Sequence, residues 1–487
     1  YDNYNMKAKD KMISDSHKLK RTLGRTDVLT LAFGTMVGWG WVVLSGQWIK
    51  EAGIIGSIVA FAAGAVLCIL VGLTYAELTA ALPLAGGEMI FAYRAIGRRF
   101  AWFVGWAISF VYIGVAAWEG IAIATAIDYI LPIPKVWYLW SVGGYPVFLS
   151  WSLLGMIGAI VLVILNYFGI RPAIIFQVMM TSAMFLVGLI FVFGGISFGS
   201  PTFFTPLFTD RQGIVAVLLI VPSMFVGFDV IPQSAEEMNL PLKQISNTFV
   251  ISILMAACWY FLVILGIGLS APSEIRDAGI VPSADAMAYC FGSPILGKVM
   301  IIGGICGIMT SWNGFLVGST RIIYAMGRAK MLPPFFGKLH SRYKTPVGAI
   351  IFAGSICTLA PLLGRNALVW FVNASAFGSV LSYLVVAIAF LILRKKEPNL
   401  LRPFKIKYGI SVGIIVVLSS AGFLTLYIPG GPVSQVLSHE SIMIAIWGAL
   451  GIIFLIWSRL YYGNISIKER ELLIFGEEYL RKEYFYE

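Results

Sequence analysis

Residues 28–49 read VLTLAFGTMVGWGWVVLSGQWI, and residues 214–241 read IVAVLLIVPSMFVGFDVIPQSAEEMNLP. Each stretch is apolar enough to cross a hydrocarbon layer, and each is interrupted halfway. In the first, Gly34, Gly38 and Gly40 cluster around Trp39 and Trp41. Glycine lowers helix stability by about 1 kcal/mol relative to alanine, and a helix that lapses there exposes main-chain groups to a ligand. In the second, running from Ile214 to about Pro232, Phe225-Val226-Gly227-Phe228 leads into Asp229, a carboxylate costly to bury in an apolar segment without a partner. Glycines that only allow close helix packing are the bland alternative for either stretch taken alone.

The rest of the chain sets these breaks in a membrane. Of 487 residues, 59% are hydrophobic and only 12% charged, against roughly a quarter charged in soluble domains. Apolar runs of about 20 residues recur some twelve times, each long enough to span about 30 Å as a helix. Clear cases are Trp151 to Phe168, Ile174 to Gly194, Val250 to Leu269, Val380 to Leu393, Ile410 to Ile428 and Ile442 to Trp457. The alternating pattern of a membrane β-barrel is missing, so the fold class expected is an all-α integral membrane protein.

A net charge of +11 would suit nucleic acid, but the basic residues lie between apolar runs and form no nucleic-acid motif, which argues against that partner. Their distribution speaks instead for orientation. With twelve alternating helices and both termini in the cytoplasm of a cell bounded by its plasma membrane, most Lys and Arg fall inside, in Lys7 to Arg25, Arg94 to Arg99, Arg328 to Lys344, Arg394 to Lys407 and Arg459 to Lys482. Residues 1–25 and 464–487 then form cytoplasmic tails. The first 25 residues are polar, so no cleavable signal peptide is expected, and the absence of an initiator Met suggests that Tyr1 is not the native start.

Enzymatic chemistry is not expected. The five cysteines show neither a disulfide framework nor metal spacing, and read as packing residues. The three histidines have no metal or nucleophile constellation around them, and no catalytic residues or resident cofactor are assigned. Trp137, Tyr138 and Trp140 read as an interfacial aromatic belt. The first and sixth spans, which carry the breaks, lie an odd number of helices apart. That offset gives the two halves opposite orientation, the arrangement of transporters with inverted repeats and a midplane site.

At these residues the chain resembles the amino acid–polyamine–organocation permease superfamily, with its leucine-transporter-like fold, over about residues 26–463. The glycine-rich break matches the family's Gly-Ser-Gly, with Trp39 in place of the serine. The second stretch matches Gly-Phe-Asp followed by Ala-Glu-Glu-Met and Asn-x-Pro. Further matches are Tyr75-Ala76-Glu77-Leu78 with Pro83 and Gly86-Gly87-Glu88, Asn166 to Gly169, and Ser319-Thr320-Arg321 through Gly327 to Pro333.

The resemblance implies a 5+5 inverted-repeat core over residues 26–394 with discontinuous helices 1 and 6, and two peripheral helices over 395–463. It also implies a secondary transporter of amino acids or organic amines working by alternating access. A permease-fold nutrient sensor that binds without net transport is the alternative. Substrate carboxylate would meet the amides of Gly38, Trp39 and Gly40, where a half-helix dipole favours an anion. The ammonium end would meet carbonyls near Phe225, Val226 and Gly227, with Phe228 or Trp39 helping to occlude it. Glu119, lone among apolar neighbours, falls near a pocket-facing position. It is either the contact for a cationic nitrogen, assisted by Trp39, Trp41 or Trp118, or a protonated carboxyl bonded to another helix. Asp229 matches a position tied to protonation and gating, and structural capping is equally open.

For the coupling ion the resemblance offers sodium, held by main-chain oxygens of Gly34 and Val37 and the hydroxyls of Thr310 and Ser311, or a proton at Asp229 or Glu119. Exchange without an ion is the third option. Adjacent Thr-Ser in a membrane helix also commonly bonds its own carbonyls. The lysine that replaces sodium in some relatives falls at Met184. Glu77 and Arg321 are expected to anchor loops.

Overall fold

The computed structural model describes residues 19–278, 281–365, 367–427 and 438–476. Helices dominate because each one satisfies its backbone polar groups within its own segment, as lipid demands. Among the described residues nine helices are long and apolar enough to span a membrane: Ile54–Ala81, Arg98–Ile130, Leu149–Phe168, Ile170–Phe198, Leu242–Ser270, Pro294–Arg328, Trp370–Lys396, Gly409–Leu426 and His439–Tyr462. The chain is a multi-pass membrane protein. The difference from about twelve apolar runs lies in three segments: the two interrupted ones, and Val347–Leu363, which is shorter.

Both interruptions are present in the backbone. The first segment is helical over Arg25–Met36, leaves the helix at Val37–Trp39, and resumes as Gly40–Val43 and Ser45–Ala52. The second is helical over Arg211–Met224 and resumes as the single turn Val230–Gln233. Pro222 sits in the last turn of the first piece, where its missing N–H and bulky ring oppose continuation. Gly227 then adopts φ +136°, a conformation that side chains rarely tolerate.

The two breaks touch. A Cβ on Gly227 would lie 2.7 Å from the Met36 amide nitrogen and 2.8 Å from the Thr35 carbonyl carbon, so only glycine lets the two main chains approach this closely. The fully buried Tyr260, on the helix Leu242–Ser270, ties them together. Its hydroxyl lies 3.1 Å from the Met36 carbonyl oxygen and 2.9 Å from that of Met224, and can donate to either carbonyl that the lapsed helices leave without an amide.

One end of the bundle carries an antiparallel hairpin, Tyr138–Val142 with Tyr145–Phe148, pinned where the Trp140 indole donates to the Leu362 carbonyl at 2.9 Å. Trp137, Tyr138 and Trp140 are exposed here, a placement suited to a membrane interface. The opposite end, called here the terminal side, receives the described parts of both termini. Leu23 bridges Met238 in parallel, and Arg470 donates to the Ala329 carbonyl.

Candidate functional site

A cavity of about 870 Å³ runs from the two breaks to the hairpin side. Gly38, Trp39 and Gly40 of the first break line it, as do Met224 and Val226 of the second. Its mouth holds Asp128, Lys135 and Arg365 beside the hairpin residues Tyr145 to Phe148. Glu119, from the helix Arg98–Ile130, lies at the level of the breaks and is 1% exposed. A Cβ on Gly38 would stand 3.2 Å from its Oε1, so the carboxylate sits directly against the bare main chain of the first break. The Ser311 Oγ lies at the same 3.2 Å from that Gly38 Cβ position. The other carboxylate oxygen of Glu119, Oε2, is buried without a hydrogen-bond partner. A buried acceptor left unmet costs about 1–3 kcal/mol, more when charged.

Several expected site residues are placed elsewhere. Trp41 does not line the cavity: its ring packs edge-on against Trp259 at 5.2 Å, because two residues along a helix are about 200° apart and Trp39 already takes the cavity face. Phe225 and Phe228 also point away, into the aromatic packing behind the break. Phe225 lies 5.6 Å from Tyr260, and Phe228 lies 5.6 Å from Tyr75 and from Tyr383. The Gly227 and Phe228 carbonyls accept the amides of Val230 and Ile231 at 3.2 and 3.1 Å, so at this break Val226 is the expected residue that lines the cavity. Asp229 is 1% exposed and outside the cavity lining. Its Oδ1 accepts the Gly227 amide at 2.9 Å, and Tyr112 donates to its carbonyl at 2.9 Å. The bond to Gly227 pairs Asp229 with the backbone of the break, and its side chain makes no cap bond to the helix Val230–Gln233.

Around the expected cation site, Thr310 donates to the Gly307 carbonyl at 2.9 Å, the self-bonding pattern of hydroxyls in helices. Ser311 lines the cavity, its Oγ 3.2 Å from where a Gly38 Cβ would stand. Val37 is the first residue past the helix Arg25–Met36. A Cβ on Gly34 would meet Thr181 Oγ1 at 2.6 Å and Thr310 Cβ at 3.1 Å. The Met184 thioether lies 3.3 Å from where a Gly307 Cβ would stand, next to the Gly38 carbonyl.

Sequence reasoning missed three features. Tyr260 could have been suspected as a phenol amid an apolar run, where a hydroxyl needs a partner. Ser375 and Ser379, on the helix Ala367–Lys396, line the cavity but resemble ordinary small packing residues in the sequence. The third is a latch on the terminal side, built from the Ala235-Glu236-Glu237 motif. Arg321 grips Glu237 with two bonds, Nε at 2.9 Å and Nη2 at 3.1 Å, both side chains buried. Arg328 Nη1 lies 2.9 Å from both oxygens of Glu236. The Thr22 and Leu23 amides donate to the Glu237 carbonyl at 2.8 and 3.0 Å, and the Asn239 amide donates to the Leu23 carbonyl at 2.9 Å. The terminal side is therefore sealed while the hairpin side is open.

Comparison with known proteins fits this geometry. The family model described as amino acid permease matches residues 23–466. The branched-chain amino acid permease BcaP of Bacillus subtilis is 27% identical over 80% of this chain and 85% of its own length. The methylthioribose transporter of the same organism is 24% identical over 92% of this chain and 95% of its own. Human cationic amino acid transporter 4 is 30% identical over 78% of this chain, which spans 61% of that protein. These relatives are transporters and permeases, not enzymes.

Proposed function

The chain belongs to the amino acid permease family, within the amino acid–polyamine–organocation superfamily, and from that premise we propose that it is a secondary transporter of amino acids or organic amines. It works by alternating access across the plasma membrane with both termini cytoplasmic. The single observation that carries this reading is Glu119: a buried carboxylate with one unpartnered oxygen, facing a cavity floored by the bare backbone of the first break.

A protonated nitrogen would complete the hydrogen bonding of Glu119, and charge-assisted bonds are the strong ones. Amides near Gly38, Trp39 and Gly40 would take an anionic end, with Trp39 as the wall. The human relative is named for cationic amino acids, in keeping with a carboxylate on the floor. Counting the two interrupted segments and Val347–Leu363 with the nine long helices gives the twelve-helix reading, ten in an inverted-repeat core and two peripheral. The sealed terminal side and open hairpin side then correspond to an outward-facing state.

For coupling, a proton at Glu119 is favoured over sodium at Gly34, Val37, Thr310 and Ser311. Thr310 bonds its own helix, and the neighbouring Met184 offers a soft sulfur where a hard cation prefers oxygen. Asp229, bonded to the Gly227 amide, acts on gating through the shape of the second break. Thr310→Ala combined with Ser311→Ala should leave uptake insensitive to sodium, and a sodium requirement lost in that variant would move the coupling ion to these hydroxyls.

The test of transport is flux into sealed vesicles containing the purified chain, with labelled amino acids and amines outside. Accumulation or exchange supports the reading. Saturable binding without flux would establish the sensor alternative.

A further inference from the structure

A second cavity, of about 730 Å³, lies apart from the central one, along the helix Val347–Leu359. Val347, Ile351, Ser355 and Leu359 all line it, and their four-residue spacing puts them on one helical stripe. Ile351 and Leu359 are each 56% exposed, so the stripe is an open apolar surface. Twelve steps of helical rise give it a length of about 18 Å, close to the roughly 15 Å depth of one leaflet's hydrocarbon. Phe335, its ring 4.0 Å from that of Phe336, supplies further apolar lining.

Lys338 and His340 line the same cavity, in the loop that follows the terminal-side end of the helix Pro294–Arg328. This loop is fixed. The His340 amide donates to the Thr345 carbonyl at 2.8 Å, the Lys344 amide to the His340 carbonyl at 3.0 Å, and the Thr345 hydroxyl to the Tyr167 carbonyl at 2.9 Å. The Arg342 and Tyr343 amides both donate to His340 Nδ1 at 3.2 Å, which leaves the ring's proton on Nε2 as a donor. Residues 329–345 contain Lys330, Lys338, Arg342 and Lys344 and no Asp or Glu. Lys330 is paired with Glu469, whereas among the described residues Lys338 has no ion-pair partner.

We infer that this groove holds one anionic phospholipid, with an acyl chain along the Val347–Leu359 stripe and the headgroup phosphate at Lys338 and His340. Ordinary lipid covers any apolar face of a membrane protein. What selects an anionic lipid here is charge complementarity: two donors in an acid-free loop at the end of a groove one leaflet deep. On the proposed topology the lipid belongs to the cytoplasmic leaflet.

The test is native mass spectrometry of the detergent-purified full chain, titrated with palmitoyl-oleoyl phosphatidylglycerol, with the matching phosphatidylcholine, and with inorganic phosphate. One phosphatidylglycerol should be retained per chain, about fivefold or more tighter than phosphatidylcholine, the factor expected for one basic residue at a membrane surface. Lys338→Ala with His340→Ala should erase the preference, and Lys338→Gln alone should lower it without disturbing the His340 turn. Ile351→Trp, which fills the groove, should expel the lipid with both charges intact. Lys395→Ala, a basic residue elsewhere on the same side, should change nothing, and inorganic phosphate should not compete. Equal binding of the two lipids, a preference that survives loss of Lys338 and His340, or displacement by inorganic phosphate would each overturn the inference.

Discussion

Glu119 and Glu237 are both buried glutamates near a helix break, and the protein treats them in opposite ways. Glu237 is held by the two-pronged Arg321 and forms part of a sealed surface on the terminal side. Glu119 has one oxygen buried without a hydrogen-bond partner, and lines the cavity that opens to the hairpin side. Glu77 follows the first pattern, gripped by Arg394 at 2.5 and 2.9 Å with Arg402 Nε at 3.2 Å. Burial alone therefore does not mark a functional carboxylate. A carboxylate matched by fixed arginines locks structure, and the one left partly unmatched is the one proposed to meet a ligand.

The largest expected effect comes from making the sealed side resemble the open one. Glu237→Gln leaves Arg321 buried without its counter-charge, a loss of about 3–5 kcal/mol when one partner of a buried pair is removed. The melting temperature should fall, and cysteines introduced on the terminal side should react faster with a soluble maleimide. Gly227→Ala comes next. Strain at a positive φ costs about 1–3 kcal/mol, and the added carbon would push against Met36; substrate binding should drop sharply in a titration, with more of the loss in affinity than in folded yield.

Smaller effects sharpen the contrast. Tyr260→Phe removes the hydroxyl shared by the Met36 and Met224 carbonyls and should cost about 0.5–1.5 kcal/mol in thermal unfolding, the usual net worth of one hydrogen bond. Least of all should come from Arg171→Ala. Its 2.9 Å pair with Asp27 has an arginine side chain 57% exposed, and exposed pairs contribute about 0–1 kcal/mol. A loss as large as that of Glu237→Gln would mean that exposure does not separate the ion pairs of this chain.

The positions of both helix breaks were legible because clustered glycines in the first, and Gly227 followed by Asp229 in the second, interrupt apolar runs that otherwise have no reason to contain them. Gly38, Trp39, Gly40, Val226 and Glu119, which the resemblance singled out, line the cavity. What could not be read was side-chain direction. Trp39 and Trp41 look equivalent in the sequence, yet helical geometry sends one to the cavity and the other to Trp259. Phe225 and Phe228 are drawn into aromatic packing by partners such as Tyr383, more than 150 residues away, whose contact no local pattern announces. The pairing of Glu236 and Glu237 with Arg328 and Arg321 was hidden for the same reason: both motifs were visible, but the distance between them in sequence concealed that they are two sides of one latch.

The most direct measurement is equilibrium binding of a matched set of ligands, an amino acid, its decarboxylated amine and its N-acetylated form, to the unmodified chain and to Glu119→Gln. If Glu119 accepts a substrate nitrogen beside the first break, the substitution should weaken the amine about ten- to a hundredfold, from a charge-assisted bond of about 1.5–3 kcal/mol, and leave the N-acetylated form nearly unchanged. Equal, small effects on all three ligands would remove Glu119 from the site and the proposed substrate position with it.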